Sequence, residues 1–327
     1  MRLLVMNCHE PWIYQLRVLE ADLDIVVGLS GRHTTSWDER MRPKPPRSRF
    51  ISMDEVQPVR AHTWDCVLAH NISDLIDLKG IAAPTLLIIH STLEGRLAQQ
   101  DAGVAPAAMR QRLAQYLALR GAHAIGVSRF KAATWGVRGD AVTFFADPHE
   151  YLPASYERPV GLRVANHVQS KRVFLNWDLH EAAFTGLPVT LIGHNPEVGV
   201  QAAANWDALK TEFASHRFFI HTADPRFEDG YNMASIEAMA AGLPVIGNRH
   251  PTSPIKHGVD GFLSDDPREL RTYAERLLDD VALARRMGAA ARATVERHFT
   301  ATRFRLGMQS AIETARRKFS RHSRRTA

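Results

Sequence analysis

Short apolar runs alternate along the chain with stretches whose apolar residues recur every three or four positions, the pattern of buried strands separated by amphipathic helices. In the first half the runs at 3–6, 25–29, 66–70, 85–90, 124–127 and 142–145 read as strands, and 12–19 and 106–119 read as helices. Pro106 suits a first helical turn, where its missing N–H has no partner to lose. In the second half the strands fall at 162–165, 189–192, 217–221, 244–246 and 262–263, with helices at 206–214 and 267–278. From Pro267 the pattern stays helical to about Lys318, with interruptions near Gly288 and Thr300. Alternation of this kind predicts an α/β protein with parallel sheets covered by helices. The polar, proline-bearing residues 152–160 read as a linker between two domains.

The length of 327 residues accommodates two cores more comfortably than one. Hydrophobic residues at 45% and charged residues at 23% are ordinary for a water-soluble globular chain. No run reaches the roughly 20 apolar residues of a membrane-spanning helix, and residues 1–7 read as a first strand rather than a leader. A cytoplasmic location is the expectation. The only two cysteines, Cys8 and Cys66, have no ligand-spaced partner in sequence, so neither a disulfide framework nor a metal site is expected. The net charge of +6 is concentrated in two places: Arg40, Arg42, Lys44, Arg47 and Arg49, and a C-terminal group from Arg316 to Arg325. These are candidate contacts for an anionic lipid surface at the inner face of a membrane. A nucleic-acid partner is not expected, because no RNA-binding or helix-turn-helix signature accompanies the basic residues.

Candidate chemistry centres on residues 227–245, FEDGYNMASIEAMAAGLPV. Asp229-Gly230 marks a turn. A helix begins near Asn232, since Met233, Ile236, Met239 and Ala240 share one face, and Gly242 and Pro244 end it. Asp229 lies just before this helix and Glu237 in its second turn, so two carboxylates flank an electropositive helix start suited to a phosphate. A sugar nucleotide offers the matching hydroxyls, diphosphate and ribose.

Residues 229–245 closely resemble the acidic loop-helix of retaining glycosyltransferases of family 4, group 1 in older usage, whose pattern is Glu-Gly-Phe-Gly, four residues, Glu-Ala-Met-Ala, one residue, Gly, one residue, Pro-Val. The resemblance implies the GT-B fold, two Rossmann-like doubly wound domains facing across a cleft. The expected division is an acceptor-side domain at 1–157, a nucleotide-sugar domain at 158–300, and a last helix from about 301 crossing back to the first domain. It also assigns roles: Asp229 to the transferred sugar, Glu237 to the ribose, and the amides of Gly230, Tyr231, Asn232 and Met233 to the distal phosphate. Two positions depart from the pattern, Asp229 for Glu and Asn232 for Gly, and Glu228 is an alternative to Asp229.

The family places an Arg after the first strand of the second domain and a Lys five residues later, both on the donor diphosphate. Asn166 occupies the Arg position here and Lys171 the Lys position, with Arg172 or His167 able to supply the second cation. In a doubly wound sheet, ligands collect beyond the carboxyl ends of strands, which singles out Asn7 to Glu10, His70-Asn71, His90-Ser91 and Ser128-Arg129. His90 matches a family histidine that faces acceptor and sugar. Asp22-Leu23-Asp24 mimics the metal-binding Asp-x-Asp of another glycosyltransferase class, but its position before an early strand reads as a solvated turn.

The resemblance therefore implies a retaining, metal-independent transferase with a nucleotide-sugar donor, a glycan or lipid-linked acceptor, no cofactor, and a role in cell-envelope polysaccharide synthesis. The alternative is a noncatalytic protein of the same fold that binds a nucleotide sugar or a glycan.

Overall fold

The computed structural model describes residues 1–29, 31, 35–56, 63–100, 103–139 and 141–326. Two compact units divide the chain, one formed by 1–144 with 302–327 and the other by 145–301.

The first unit contains β1 (Arg2–Met6), α1 (Glu10–Ile13), β2 (Asp22–Val26), β3 (Ser48–Ile51), α2 (Met53–Val56), β4 (Cys66–Ala69), α3 (Ile72–Asp77), β5 (Thr85–Ile89), α4 (Leu93–Gln100), α5 (Pro106–Arg120), β6 (His123–Gly126) and α6 (Arg129–Thr134). Its six strands run parallel in the order β3-β2-β1-β4-β5-β6. The second unit contains β7 (Gly161–Val164), α7 (Trp177–Phe184), β8 (Val189–Ile192), α8 (Trp206–Ser215), β9 (Phe218–His221), α9 (Met233–Ala241), β10 (Val245–Gly247), β11 (Gly261–Leu263), α10 (Pro267–Asp279) and α11 (Val281–His298). Its five strands are parallel in the order β11-β10-β9-β7-β8. The last helix, α12 (Ala301–Thr326), contributes Thr302 onward to the first unit. There Phe304 meets Trp12 edge-on and His322 lies over Gly121.

Both orders are doubly wound, so each sheet has a switch point where successive connections depart in opposite directions and leave a crevice beyond the carboxyl ends of the strands. In the first unit it lies between β1 and β4, and in the second between β7 and β9. Arg163, 1% exposed, ties the second pair together by donating to the carbonyls of Ile220 and Thr222, both at 3.0 Å. Burial pushes its guanidinium down to about 9.

Several elements differ from the sequence pattern. Residues 142–145 form no strand; Val142 N instead donates to Gly126 O as an isolated connection. Residues 14–19 tighten into a 3-10 helix after α1. Asp22-Leu23-Asp24 is not a turn but part of β2, because burial of Leu23, Ile25 and Val26 draws the segment into the sheet. Asp24 is buried with it and accepts from Arg2 Nε (2.9 Å), Arg49 Nε (2.5 Å) and Trp64 Nε1 (2.7 Å). Those three donors outweigh the opposing effect of burial and hold its carboxyl below the ordinary range.

The basic segment at 40–49 is no free positive patch. Arg40 pairs with Asp38, Arg47 with Asp22 and Arg49 with Asp24, while Arg42 is buried and β3 begins at Ser48. The long C-terminal helical pattern breaks at Asp280 rather than Gly288. Asp280 ends α10 and caps α11 by accepting from Leu283 N at 2.8 Å. Gly288 sits inside α11 against the end of α9, where a Cβ would come within 1.9 Å of Gly242 O. Residues 152–160 are bonded within the second unit: Ala154 N to Ala241 O, Ser155 N to Ala214 O, and the Tyr156 hydroxyl to Gly242 O at 2.6 Å.

Candidate functional site

In the second unit, the connections leaving β7, β9 and β10 bring the sequence-predicted acids to the start of α9. This helix forms because Asn232 adopts an extended conformation (φ −137°) and its Oδ1 accepts from Ser235 N at 2.8 Å, while Ser235 Oγ accepts from Asn232 N at 2.9 Å. Gly242, at φ +96°, ends it in the left-handed region. The departure at Asn232 thus serves as a helix cap, its side chain accepting from an N–H of the first turn that a glycine there would leave to solvent.

Asp229 is 3% exposed and Glu237 6% exposed. Burial of two carboxylates so close to one helix start is costly unless their surroundings supply hydrogen bonds or positive potential, and the α9 amino terminus supplies the latter. Thr252 joins the β10 connection to this loop. Its Oγ1 accepts from Gly230 N at 3.2 Å, lies 2.9 Å from His250 Nδ1, and reaches Asp229 Oδ1 at 3.5 Å. Gly230 is required for that approach, since a Cβ there would lie 2.7 Å from His250 Cβ and 2.9 Å from Ser253 Cα. The close contact that glycine permits is therefore with the protein's own 250–253 loop. Of the amides assigned to a phosphate, Gly230 N and Asn232 N are occupied by Thr252 and Ser235, and Tyr231 stacks edge-on against Phe299.

Lys171 follows β7 on a turn stabilised by its own N–H donating to His167 O at 2.8 Å. Its ammonium is half-buried; burial lowers its pKa and the carboxylate of Glu228 opposes that change, so Lys171 and Glu228 share one electrostatic neighbourhood. Arg172 does not join them. Its guanidinium is engaged by Asp178 and Glu181 of α7. Asn166 likewise has a local task, its Oδ1 accepting from His194 N at 2.8 Å and linking the exits of β7 and β8. Sequence reasoning missed Thr252 and His250, which reach the acid loop, and Asn248, which holds the exit of β9 through Ala223 N and O, both at 2.9 Å.

His90 belongs to the first unit, at the end of β5. Its Nε2 lies 2.8 Å from His70 Nδ1 at the end of β4, and the Trp12 ring stands edge-on to both imidazoles at 5.1 Å. Burial pushes His70 down to about 3 and holds His90 well below the usual histidine range, so both rings are neutral at physiological pH. Cys8, after β1, completes the group, and burial followed by the charges of Asp74 and Glu10 raises its thiol. Its neighbours in this group are spatial rather than sequential, so cysteine spacing carried no sign of them.

Two doubly wound parallel-sheet units, the second carrying a capped acidic loop-helix, define a GT-B protein. Residues 179–280 match the family described as Glycosyl transferases group 1. Among solved structures, HepE from Anabaena in complex with UDP and glucose is similar at 14% identity and a TM-score of 0.69, over 96% of this chain and 99% of that one. Sucrose-phosphate synthase from Thermosynechococcus elongatus aligns at 14% identity and 0.64, over 95% and 98%. The lipopolysaccharide outer core galactosyltransferase WaaB aligns at 13% and 0.61, over 96% and 99%. At these identities the likeness is one of fold. No curated protein matches the chain in sequence.

Proposed function

We propose that the chain is a retaining glycosyltransferase that moves a sugar from a nucleoside-diphosphate sugar to a glycan or lipid-linked acceptor in cell-envelope polysaccharide synthesis. The observation that carries the reading is the buried pair Asp229 and Glu237 on either side of a capped helix start, with Lys171 and Glu228 beside it. In this reading Glu237 holds the ribose hydroxyls, Asp229 or Glu228 meets the transferred sugar, and the α9 amino terminus with Lys171 receives negative charge as the diphosphate departs. No cofactor is invoked, and no metal is needed on the diphosphate for that step. HepE, whose structures hold UDP and glucose or UDP-glucose, makes UDP-sugars the first donors to try.

One observation favours a second reading. Asn166 stands where the family has a cation and Arg172 is already paired, so a protein that binds the donor without turning it over is the alternative. A panel of nucleotide sugars scored by thermal stabilisation and by release of nucleoside diphosphate separates the two. A donor at a hundredfold excess over its Kd stabilises the native state by about 2.7 kcal/mol. Stabilisation with diphosphate release that is lost in E237Q and K171M supports the transferase; stabilisation without release supports the binder; no response to any donor overturns both.

A further inference from the structure

Three chain segments far apart in sequence converge at the switch point of the first sheet. Cys8 follows β1, His70 follows β4 and His90 follows β5, and one ligand atom from each lies within 4.8 Å of the other two. We propose that Cys8, His70 and His90 form a binding site for a thiophilic first-row divalent cation, zinc in kind.

The donor set is the first reason. A thiol sulfur and two imidazole nitrogens suit zinc or cobalt, whereas calcium and magnesium take oxygen ligands. Spacing is the second. With zinc–nitrogen bonds of about 2.0–2.1 Å and a zinc–sulfur bond of about 2.3 Å, tetrahedral geometry puts neighbouring ligand atoms on the order of 3.3–3.6 Å apart. Atoms within 4.8 Å reach that arrangement by side-chain shifts of roughly 1 Å or less.

The surroundings are the third. Trp12 holds both rings edge-on at 5.1 Å, and Asp74 anchors His70 by accepting from its backbone N–H at 2.7 Å. His70 is 6% exposed, and its Nε2 has no hydrogen-bond partner among the described residues, so the two-ring hydrogen bond leaves the buried group incompletely satisfied. Asp74 and Glu10 add negative potential around the Cys8 sulfur. Cys8 and His90 are mostly but not fully buried, so the group is not sealed from solvent.

Binding replaces the thiol proton, which goes to solvent, and forms one metal–sulfur and two metal–nitrogen bonds. Three protein ligands leave a fourth position for water or a hydroxyl-bearing ligand, the arrangement of open rather than closed zinc sites. The proposal does not rest on the donor-site reading, which concerns the other unit, and its test contains no nucleotide sugar.

The full chain, stripped with a chelator, is titrated with cobalt(II) and then with zinc. The expected result is one equivalent bound with a thiolate-to-cobalt charge-transfer band, one proton released, and loss of the band when zinc displaces cobalt. The band persists in C66S, disappears in C8S, and in H70N requires at least about tenfold more cobalt, the lower bound for disturbing a ligand's own support. No band in the wild type at large excess, a band retained in C8S, or unchanged affinity in H70N overturns the site. Where circular dichroism shows a variant unfolded, wild type and C66S decide it: a stoichiometric band in both supports the proposal, and its absence from either overturns it.

Discussion

Asn232 shows how one side chain reconciles a departure from a familiar pattern with the structure around it. Its carboxamide caps α9, so N232A should lower unfolding free energy by about 1 kcal/mol in denaturant titration, while N232G costs only a few tenths. Equal losses for the two variants would show that the cap is not what Asn232 contributes. His180 offers a test of burial rather than bonding. It stacks on Trp177 at 4.2 Å, and burial, with the nearby Arg163 charge, pushes it down to about 3. The unfolded chain takes up this proton near pH 6.5 and the folded chain only near 3, so the stability contribution is complete above 6.5 and declines as pH falls through that window. The slope is about 1.4 kcal/mol per pH unit for one proton. H180F should flatten stability against pH between those limits; an unchanged slope would mean His180 protonates equally in both states.

Among the elements, the packing of α11 on α9 is the most exacting. An added Cβ at Gly288 would meet Gly242 O at 1.9 Å and the Tyr156 hydroxyl at 2.2 Å, and a backbone oxygen cannot swing aside. G288A is therefore expected to cost about 1–3 kcal/mol by thermal unfolding, and, by shifting the end of α9, to weaken donor binding as well. Helical periodicity alone made Gly288 a plausible break, because glycine is a poor helix former when nothing else is known. What decides the matter is the neighbour, and neighbours are invisible in a single sequence. The same limitation hid β3 behind the prolines and charges of 42–49, and placed a strand at 142–145 where apolar residues pack without a ladder. By contrast β8 and α9 matched their patterns closely, since each carries its own boundary signals in the chain.

For the whole molecule, charge is the property with the longest reach. Pairing with Asp22, Asp24 and Asp38 absorbs most of the 40–49 cluster, which leaves the end of α12, with exposed Arg321, Arg324 and Arg325, as the main candidate for an anionic surface. No helix among the described residues is long and apolar enough to cross a membrane. Each basic residue near such a surface contributes about 1 kcal/mol, so replacing these three by alanine should reduce binding to phosphatidylserine vesicles on the order of 100-fold in a sedimentation assay at low salt. Binding that survives the triple change, or that ignores salt, would place the contact elsewhere.

The order and type of most elements, the parallel α/β class and the acidic loop-helix at 229–245 were legible in the chain, because period, caps and stop signals act over a few neighbouring residues. Strand adjacency was not. Nothing in the sequence joined Cys8, His70 and His90 to one another, and pairing of β1 with β4 and of β4 with β5 is what gathers them. Likewise only the fold assigned Arg172 to α7, Asn166 to the β8 exit and Thr252 to the acid loop. Local propensity is a property of the residues themselves, whereas proximity across a sheet depends on the hand and order of the connections, which many sequences share and no short stretch encodes.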